Sequence, residues 1–325
     1  MVRPAPPNFD GLSSDEKGNP VLRPHQACLF ERFAGAVAWR KEDANLVSGR
    51  PSRTLVLCSA AVVGNYDYLM DWRFEQDGTI RVAVGATGIL DARAVADESA
   101  DGATNHANHS AEEYGQLVAR NILGVNHDHF FSFRLDIDVD GQNNSFMIHR
   151  LVEKELSAGS PRKSIWVAKP SIAEKERDAM MDIRLDKPSM WIFVNPKVKE
   201  PLGHSTGYEI MPGVTAASLL SPDDGAQKVG AFSAHQLWVT PYRPEELYAA
   251  GTYPRSSTGE DSLAAWTRKN RGIENTDIVA WYTLGFHHVP REEDWPVMPV
   301  MWHDFVIRPF HFLGQNPVLN LPNEP

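Results

Sequence analysis

Short runs of β-branched and aromatic residues, each bounded by turn signals, constrain this chain more than any other feature. They are Thr54–Val63, Tyr68–Glu75, Ile80–Gly85, Phe131–Val139, Ser145–Val152, Ser164–Ala168, Met190–Val194, Gly207–Met211, Gln236–Thr240, Ile278–Gly285 and Asp304–Ile307. Gln76-Asp77-Gly78, Asp140-Gly141 and Asn195-Pro196 fall between them, and such residues favour turns over continued strand. Helical patterns are few and short, around Ala111–Arg120, Glu245–Ala250 and Asp261–Lys269. Many irregularly spaced strands with so little helix predict an all-β fold, a large antiparallel β-sandwich. Residues 1–21, rich in Pro, Gly, Asp and Ser, read as an extended lead-in. The polar stretch Asp97–Ser110, with His106 and His109, reads as a loop.

At 325 residues the chain can bury a sizeable core, and β-sandwiches run long enough as single units that length forces no split. A net charge of −10 lacks the basic footprint of a nucleic-acid surface, so no such partner is expected. No apolar run reaches the roughly 18 residues of a membrane span. Met1-Val2-Arg3-Pro4-Ala5-Pro6-Pro7 has no apolar core of a secretory signal, and Leu321-Pro322-Asn323-Glu324-Pro325 carries no peroxisomal Ser-Lys-Leu address. An intracellular location, cytoplasmic or peroxisomal, is the expectation. Cys28 and Cys58 cannot make a disulfide framework. Two free thiols are expected, with a single bridge as the alternative.

Chemistry gathers at a few places. His127-Asp128-His129 opens directly into a strong strand, and residues i and i+2 of a strand share a face, so both imidazoles can converge on one ion. Imidazole suits Cu, Zn, Fe or Ni, and a third ligand is needed; His287 and His288 are the candidates. Surface or capping histidines are the plainer alternative. Asp136 and Asp138 also share a strand face, as oxygen coordination of Ca²⁺ requires, although a solvated strand end before Asp140-Gly141 is the plainer reading. Tyr66, in Val63-Gly64-Asn65-Tyr66-Asp67-Tyr68, is an apolar-site tyrosine whose ring is oxidisable if copper and oxygen reach it. Glu292-Glu293-Asp294 reads as a solvated turn, and His149, His204, His235 and His311 as isolated structural histidines.

Taken together and in order, these residues resemble the catalytic domain of the copper-containing amine oxidases, the topaquinone enzymes, from about residue 20 onward. Asn65-Tyr66-Asp67-Tyr68 meets the family's Asn-Tyr-Asp/Glu-Tyr pattern, whose first tyrosine becomes topaquinone. Asp77-Gly78-Thr79-Ile80, Ala86-Thr87-Gly88, Phe133-Arg134-Leu135-Asp136, Gln236-Leu237-Trp238-Val239-Thr240 and Asn316-Pro317 match further. The resemblance makes His127 and His129 the His-x-His copper pair. It places the third ligand at His288, ahead of Arg291-Glu292-Glu293-Asp294-Trp295-Pro296-Val297-Met298-Pro299, with His287 a neighbour. Met298 then falls on the methionine lining the copper and oxygen region. A calcium-type site falls on Asp136, the Ile137 carbonyl, Asp138, Asp277 and the Ile278 carbonyl.

What the resemblance implies is Cu(II), a topaquinone made from Tyr66 and possible Ca²⁺. The implied reaction is oxidative deamination of a primary amine by O₂, giving an aldehyde, ammonia and hydrogen peroxide, in a homodimer. The chain corresponds to roughly the second half of a family member, so residues 22–325 read as a partial, N-terminally truncated catalytic domain. The family's catalytic aspartate, its gating tyrosine and the first strands belong upstream. Three functions follow: an active oxidase completed by a separate chain supplying the N-terminal half or by a local replacement base; a copper oxidase repurposed for another oxidation in a small-molecule pathway; or a non-catalytic relic acting as a binding protein.

Overall fold

Strand follows strand because β-branched and aromatic residues alternate between a packed and an open face, and short turns reverse the chain. The computed structural model describes residues 7–15, 17–33, 35–44, 46–99, 114–254 and 259–322. The strands begin with β1 (Asn8–Ser14), β2 (Pro20–Arg32), β3 (Val37–Asp43), β4 (Leu46–Pro51), β5 (Thr54–Val63), β6 (Tyr66–Glu75) and β7 (Ile80–Ile89). Next come β8 (Ala92–Ala94), β9 (Gly115–Ala119), β10 (Ile122–Val125), β11 (His127–Asp136), β12 (Ser145–Glu155) and β13 (Ser164–Ile172). The series ends with β14 (Ser189–Lys199), β15 (Ser205–Met211), β16 (Leu237–Pro241), β17 (Ile278–His288) and β18 (Val297–Phe310). With 54% strand and 9% helix, the all-β class holds. No described helix is long and apolar enough to cross a membrane.

The chain divides into two compact units. The first comprises Met1–Asp128, His287–Phe305 and Asn316–Pro325. Its main strands run in the order β1-β2-β5-β6-β7 and then into β18, with antiparallel ladders from β1 through β7. A β3–β4 hairpin and a β8-β10-β9 sheet complete it. Val56, Val82, Val84, Leu90, Leu123 and Phe305 are among its fully buried apolar residues. The second unit comprises His129–Phe286 and Val306–Gln315. There β18 continues, followed by β15-β14-β12-β13, and the order β11-β17-β16 forms a separate sheet. Phe146, Trp191, Phe193, Ile210, Trp281 and Tyr282 form its core. In β17 nearly every side chain is buried, so this strand is covered on both faces.

Several expectations change. Residues 8–14, expected within an extended lead-in, form β1 and pair with β2. Of the helix expected around Ala111–Arg120, 115–119 is strand β9, because it pairs with β10, and 111–113 lie outside the described residues. His106 and His109 also lie outside them. No helix forms at 245–250, whereas Asp261–Lys269 holds a short α-helix (Leu263–Trp266) and a 3-10 turn. Asn195-Pro196 is not a turn but a register irregularity inside β14. The Asn195 amide donates to the carbonyls of Val139 and Asp140 at 2.9 and 3.1 Å, and its Oδ1 accepts from Lys197 N, satisfying the backbone where the ladder slips.

Candidate functional site

Tyr66 is positioned by the turn before it. β5 and β6 stay in register down to Val63 opposite Tyr66, leaving Gly64 and Asn65 as a two-residue loop. Only Gly64 of the two has positive φ, 63°, the pattern of a type II′ turn, whose twist matches the strands it joins. Across the next ladder Tyr66 faces Gly88. A Cβ at Gly88 would come within 2.7 Å of the Asn65 carbonyl oxygen and 3.1 Å of Tyr66 Cα, so the glycine permits the close backbone approach. Asp67 pairs with Val62 on one side and Thr87 on the other. The Thr87 hydroxyl donates to the carbonyl of Met298 at 2.7 Å, and the Met298 side chain is buried. Tyr68, two residues along and therefore on the same face, stacks on Tyr66 at 5.8 Å between centroids.

The two histidines at the head of β11 do share a face, and His288 closes the neighbouring strand β17. One ring nitrogen from each of His127, His129 and His288 lies within 4.8 Å of the others. His129 is buried, with its ring stacked on Phe286 at 4.7 Å. Between Tyr66 and the other two histidines, the Tyr66 hydroxyl oxygen is 2.7 Å from His127 Nε2 and 2.7 Å from His288 Nδ1.

Hydrogen bonding fixes the tautomers. His127 Nδ1 sits 2.6 Å from the Val125 carbonyl, which can only accept, so the proton is on Nδ1 and Nε2 offers a lone pair. His288 Nε2 faces the Asp294 carboxylate at 3.4 Å, which likewise puts the proton on Nε2 and the lone pair on Nδ1. Burial lowers the His288 pKa; Asp294 opposes this and His127 reinforces it, so the ring is neutral at pH 7. Tyr66 therefore presents one hydroxyl proton to two lone pairs. Only one contact can be a hydrogen bond, and the other sets oxygen against nitrogen. A cation accepting all the imidazole lone pairs removes that conflict, so the residues fit a metal ion of the imidazole-binding class. Burial, with the nearby Tyr68, Asp91 and Asp294, pushes the Tyr66 phenol above its ordinary pKa, so it holds its proton.

Asp294 was expected in a solvated turn and is instead buried, 1% exposed, while Glu292 and Glu293 are exposed. It closes a 3-10 turn and accepts from the Arg291 backbone N–H at 2.9 Å and guanidinium at 3.0 Å. Burial raises its pKa, but the Arg291 bonds and His288 outweigh that and hold it below the ordinary value. The carboxylate is thus ionised and aimed at the far nitrogen of a ligand-type imidazole. His287 points elsewhere, its Nδ1 2.6 Å from Asp128 Oδ1. Nor are all the remaining histidines isolated. His204 stacks on His311 at 4.1 Å, and His235 Nδ1 is 2.9 Å from Asp182.

In the second unit, Asp136, Asp138 and Asp277 bring carboxylate oxygens within 4.8 Å of one another. Asp277 Oδ1 is buried with no hydrogen-bond partner. Its pKa is raised by burial first, then by Asp136 and Asp138, against which Arg134 acts. Three carboxylates crowded around an orphaned buried oxygen match the oxygen-rich donor set of a hard divalent cation. Ile137 follows Asp136 directly, and Ile278 begins β17 next to Asp277.

A mainly antiparallel β protein with a buried tyrosine set against clustered imidazoles is the class that fold and site define. The profile described as "Copper amine oxidase, enzyme domain" matches residues 7–325, and the chain belongs to the copper amine oxidase family. It is 44% identical over 318 residues to copper-containing amine oxidase gamma 1 of Arabidopsis thaliana, covering 96% of this chain and 44% of that one. With the primary amine oxidase of Lens culinaris it shares 38% over 329 residues, 98% of this chain and 48% of the relative. The crystal structure of a copper-containing benzylamine oxidase from Hansenula polymorpha superposes with a TM-score of 0.87 at 29% identity, covering 97% of this chain and 48% of that chain. The chain spans about half the length of the curated relatives it matches.

Proposed function

We propose that this chain carries the copper and quinone centre of a primary-amine oxidase, with copper on His127, His129 and His288 and Tyr66 as the topaquinone precursor. The observation that supports this most is the Tyr66 hydroxyl, 2.7 Å from the lone-pair nitrogens of both His127 and His288. When bound, copper and the quinone supply the redox chemistry by which a primary amine and O₂ become an aldehyde, ammonia and hydrogen peroxide. The chain's own residues prepare the place. The Val125 carbonyl and Asp294 orient two of the rings and fix which nitrogen faces the centre. The Gly64 turn and the Gly88 approach set the height of Tyr66 on its strand. Asn65 and Asp67 flank the tyrosine, and the buried Met298 is tied through its carbonyl to Thr87 beside Asp67.

Protein expressed with copper in air is expected to release hydrogen peroxide when given one of a panel of primary amines. A copper-loaded, quinone-positive protein that releases none would sink the oxidase reading and leave another oxidation as its use.

The same proposal includes a divalent cation, Ca²⁺, on Asp136, Asp138 and Asp277 with the Ile137 and Ile278 carbonyls. Adding millimolar Ca²⁺ to chelated protein is expected to raise Tm, since a ligand at 100 times its Kd adds about 2.7 kcal/mol. Asp277→Asn removes the response. An unchanged Tm in the unaltered protein across a Ca²⁺ titration would count against the site. The raised pKa of Asp277 sets the pH sense. A carboxyl raised in the folded state favours folding while protonated, and that contribution fades as pH rises through the folded value. Without Ca²⁺ the cluster therefore destabilises increasingly toward neutral pH, where Ca²⁺ stabilises most.

A further inference from the structure

Cys28 and Cys58 are both free, half-buried thiols, and the strand register sets them directly opposite each other: Cys28 on β2 pairs with Cys58 on β5. Directly opposed residues of an antiparallel pair point to the same face, with Cα atoms about 4.5 or 5.5 Å apart. That separation lies inside the window of about 4.4–6.8 Å that a disulfide spans. We infer that Cys28 and Cys58 are a site of reversible oxidative modification, closing to a cross-strand disulfide that fastens β2 to β5.

The location gives the bond a consequence. Among the described residues, β2 meets the rest of its sheet through the β5 ladder, and its other neighbour, β1, stands last in the strand order. β5 in turn leads through the Gly64 turn to Tyr66. A covalent tie at Cys28–Cys58 thus secures the β1–β2 pair to the strand that positions the tyrosine.

The two thiols differ. Burial, then Asp71 on β6, then Cys28 itself push the Cys58 thiol up to about 12. Asp71 lies opposite Cys58 in the β5–β6 ladder and is itself bound by Arg73 at 2.9 Å. Cys28 therefore opens the exchange, since the thiolate is the nucleophile. With a low-molecular-weight disulfide as oxidant, Cys28 Sγ⁻ attacks one sulfur and releases one thiolate, which takes up a proton. Cys58 then gives its proton to solvent and attacks Cys28 Sγ, expelling the second thiolate. Two protein thiols are oxidised to one disulfide as one small disulfide is reduced to two thiols.

Oxidised glutathione added to the folded 325-residue chain tests this. The expected result is an intact mass lower by two hydrogens, loss of both titratable thiols, and one unreduced peptide pair joining Cys28 to Cys58, all reversed by excess dithiothreitol. Cys58→Ser is expected to stop at a single glutathione on Cys28. Hydrogen exchange of the β2 amides is expected to slow on oxidation in the unaltered chain and not in Cys28→Ser. Two thiols still titratable, glutathione on both cysteines, a bond between chains, or unchanged β2 exchange in the oxidised protein would each overturn the inference.

Discussion

Tyr66→Phe is expected to abolish completely the phenylhydrazine-reactive chromophore that copper and air generate, while copper still binds at the same stoichiometry. The substitution removes one oxygen and little else. The ring keeps its edge-on contacts with His127 and His288, at 5.4 and 6.2 Å between centroids, and its stack on Tyr68. The rings of His127 and His288 keep their partners, Val125 and Asp294, so the nitrogens that face Tyr66 stay oriented. In the metal-free protein the loss removes the one hydrogen bond that the hydroxyl can make to these lone pairs, a cost of about 1–3 kcal/mol. Copper satisfies those lone pairs, so the deficit should vanish on loading and the Tm difference between the two proteins should narrow. Visible absorbance after phenylhydrazine and metal analysis of the same samples decide the matter. A chromophore that survives in Tyr66→Phe places any quinone elsewhere.

The parts of this centre that were legible in the sequence obey short-range rules. The His127 and His129 pair follows from strand alternation, and that alternation needs no tertiary information. Asp136 ends β11 and Asp138 lies just beyond it, so strand alternation does not place this pair, and their approach to Asp277 depends on the distant strand β17 following directly on from it. The third histidine could not be separated from His287 by pattern alone. The resemblance places it at His288 through the motif that follows, and in the structure His288 Nδ1 lies beside Tyr66 while His287 Nδ1 is 2.6 Å from Asp128.

Asp294 was misread because a run of three acids looks solvated. Its burial comes from the turn geometry, which exposes Glu292 and Glu293 while folding the third carboxylate under the Arg291 amide. A hidden signal was Arg291 three residues earlier, a partner able to keep a buried acid ionised. β2 was missed for a different reason. Pro20 and Pro24 demote a strand by pattern, and its residues show no clean alternation of buried and exposed positions. His25, at φ 57°, breaks the run, and pairing with β1 and β5 overrides the local preference.

Asp294→Asn carries the second large effect, and it separates an orienting carboxylate from a merely structural one. Replacing such a partner of a metal-bound histidine lowers metal affinity about 10–100-fold. That corresponds to about 1.4–2.8 kcal/mol at 1.4 kcal/mol per tenfold. The pH dependence supplies the sign. Burial already lowers the His288 pKa below the ordinary imidazole value, and Asp294 is the group that pulls it back up. A folded-state pKa below the unfolded one means that the stability tied to neutral His288 is present above about 6.5 and lost as pH falls through the folded value. The His288 contribution to copper binding should therefore be lost on acidification only below the ordinary imidazole value. With asparagine the upward pull is gone, so the acid limb moves to lower pH even as affinity on the neutral plateau falls. Copper titrations with a competing chelator from pH 5 to 8 would show both movements, weaker at the plateau and shifted acidward. Weaker binding with an unmoved acid limb would instead mean that the turn at 292–294 had come apart, and that Asp294 holds the chain in place without tuning the ring.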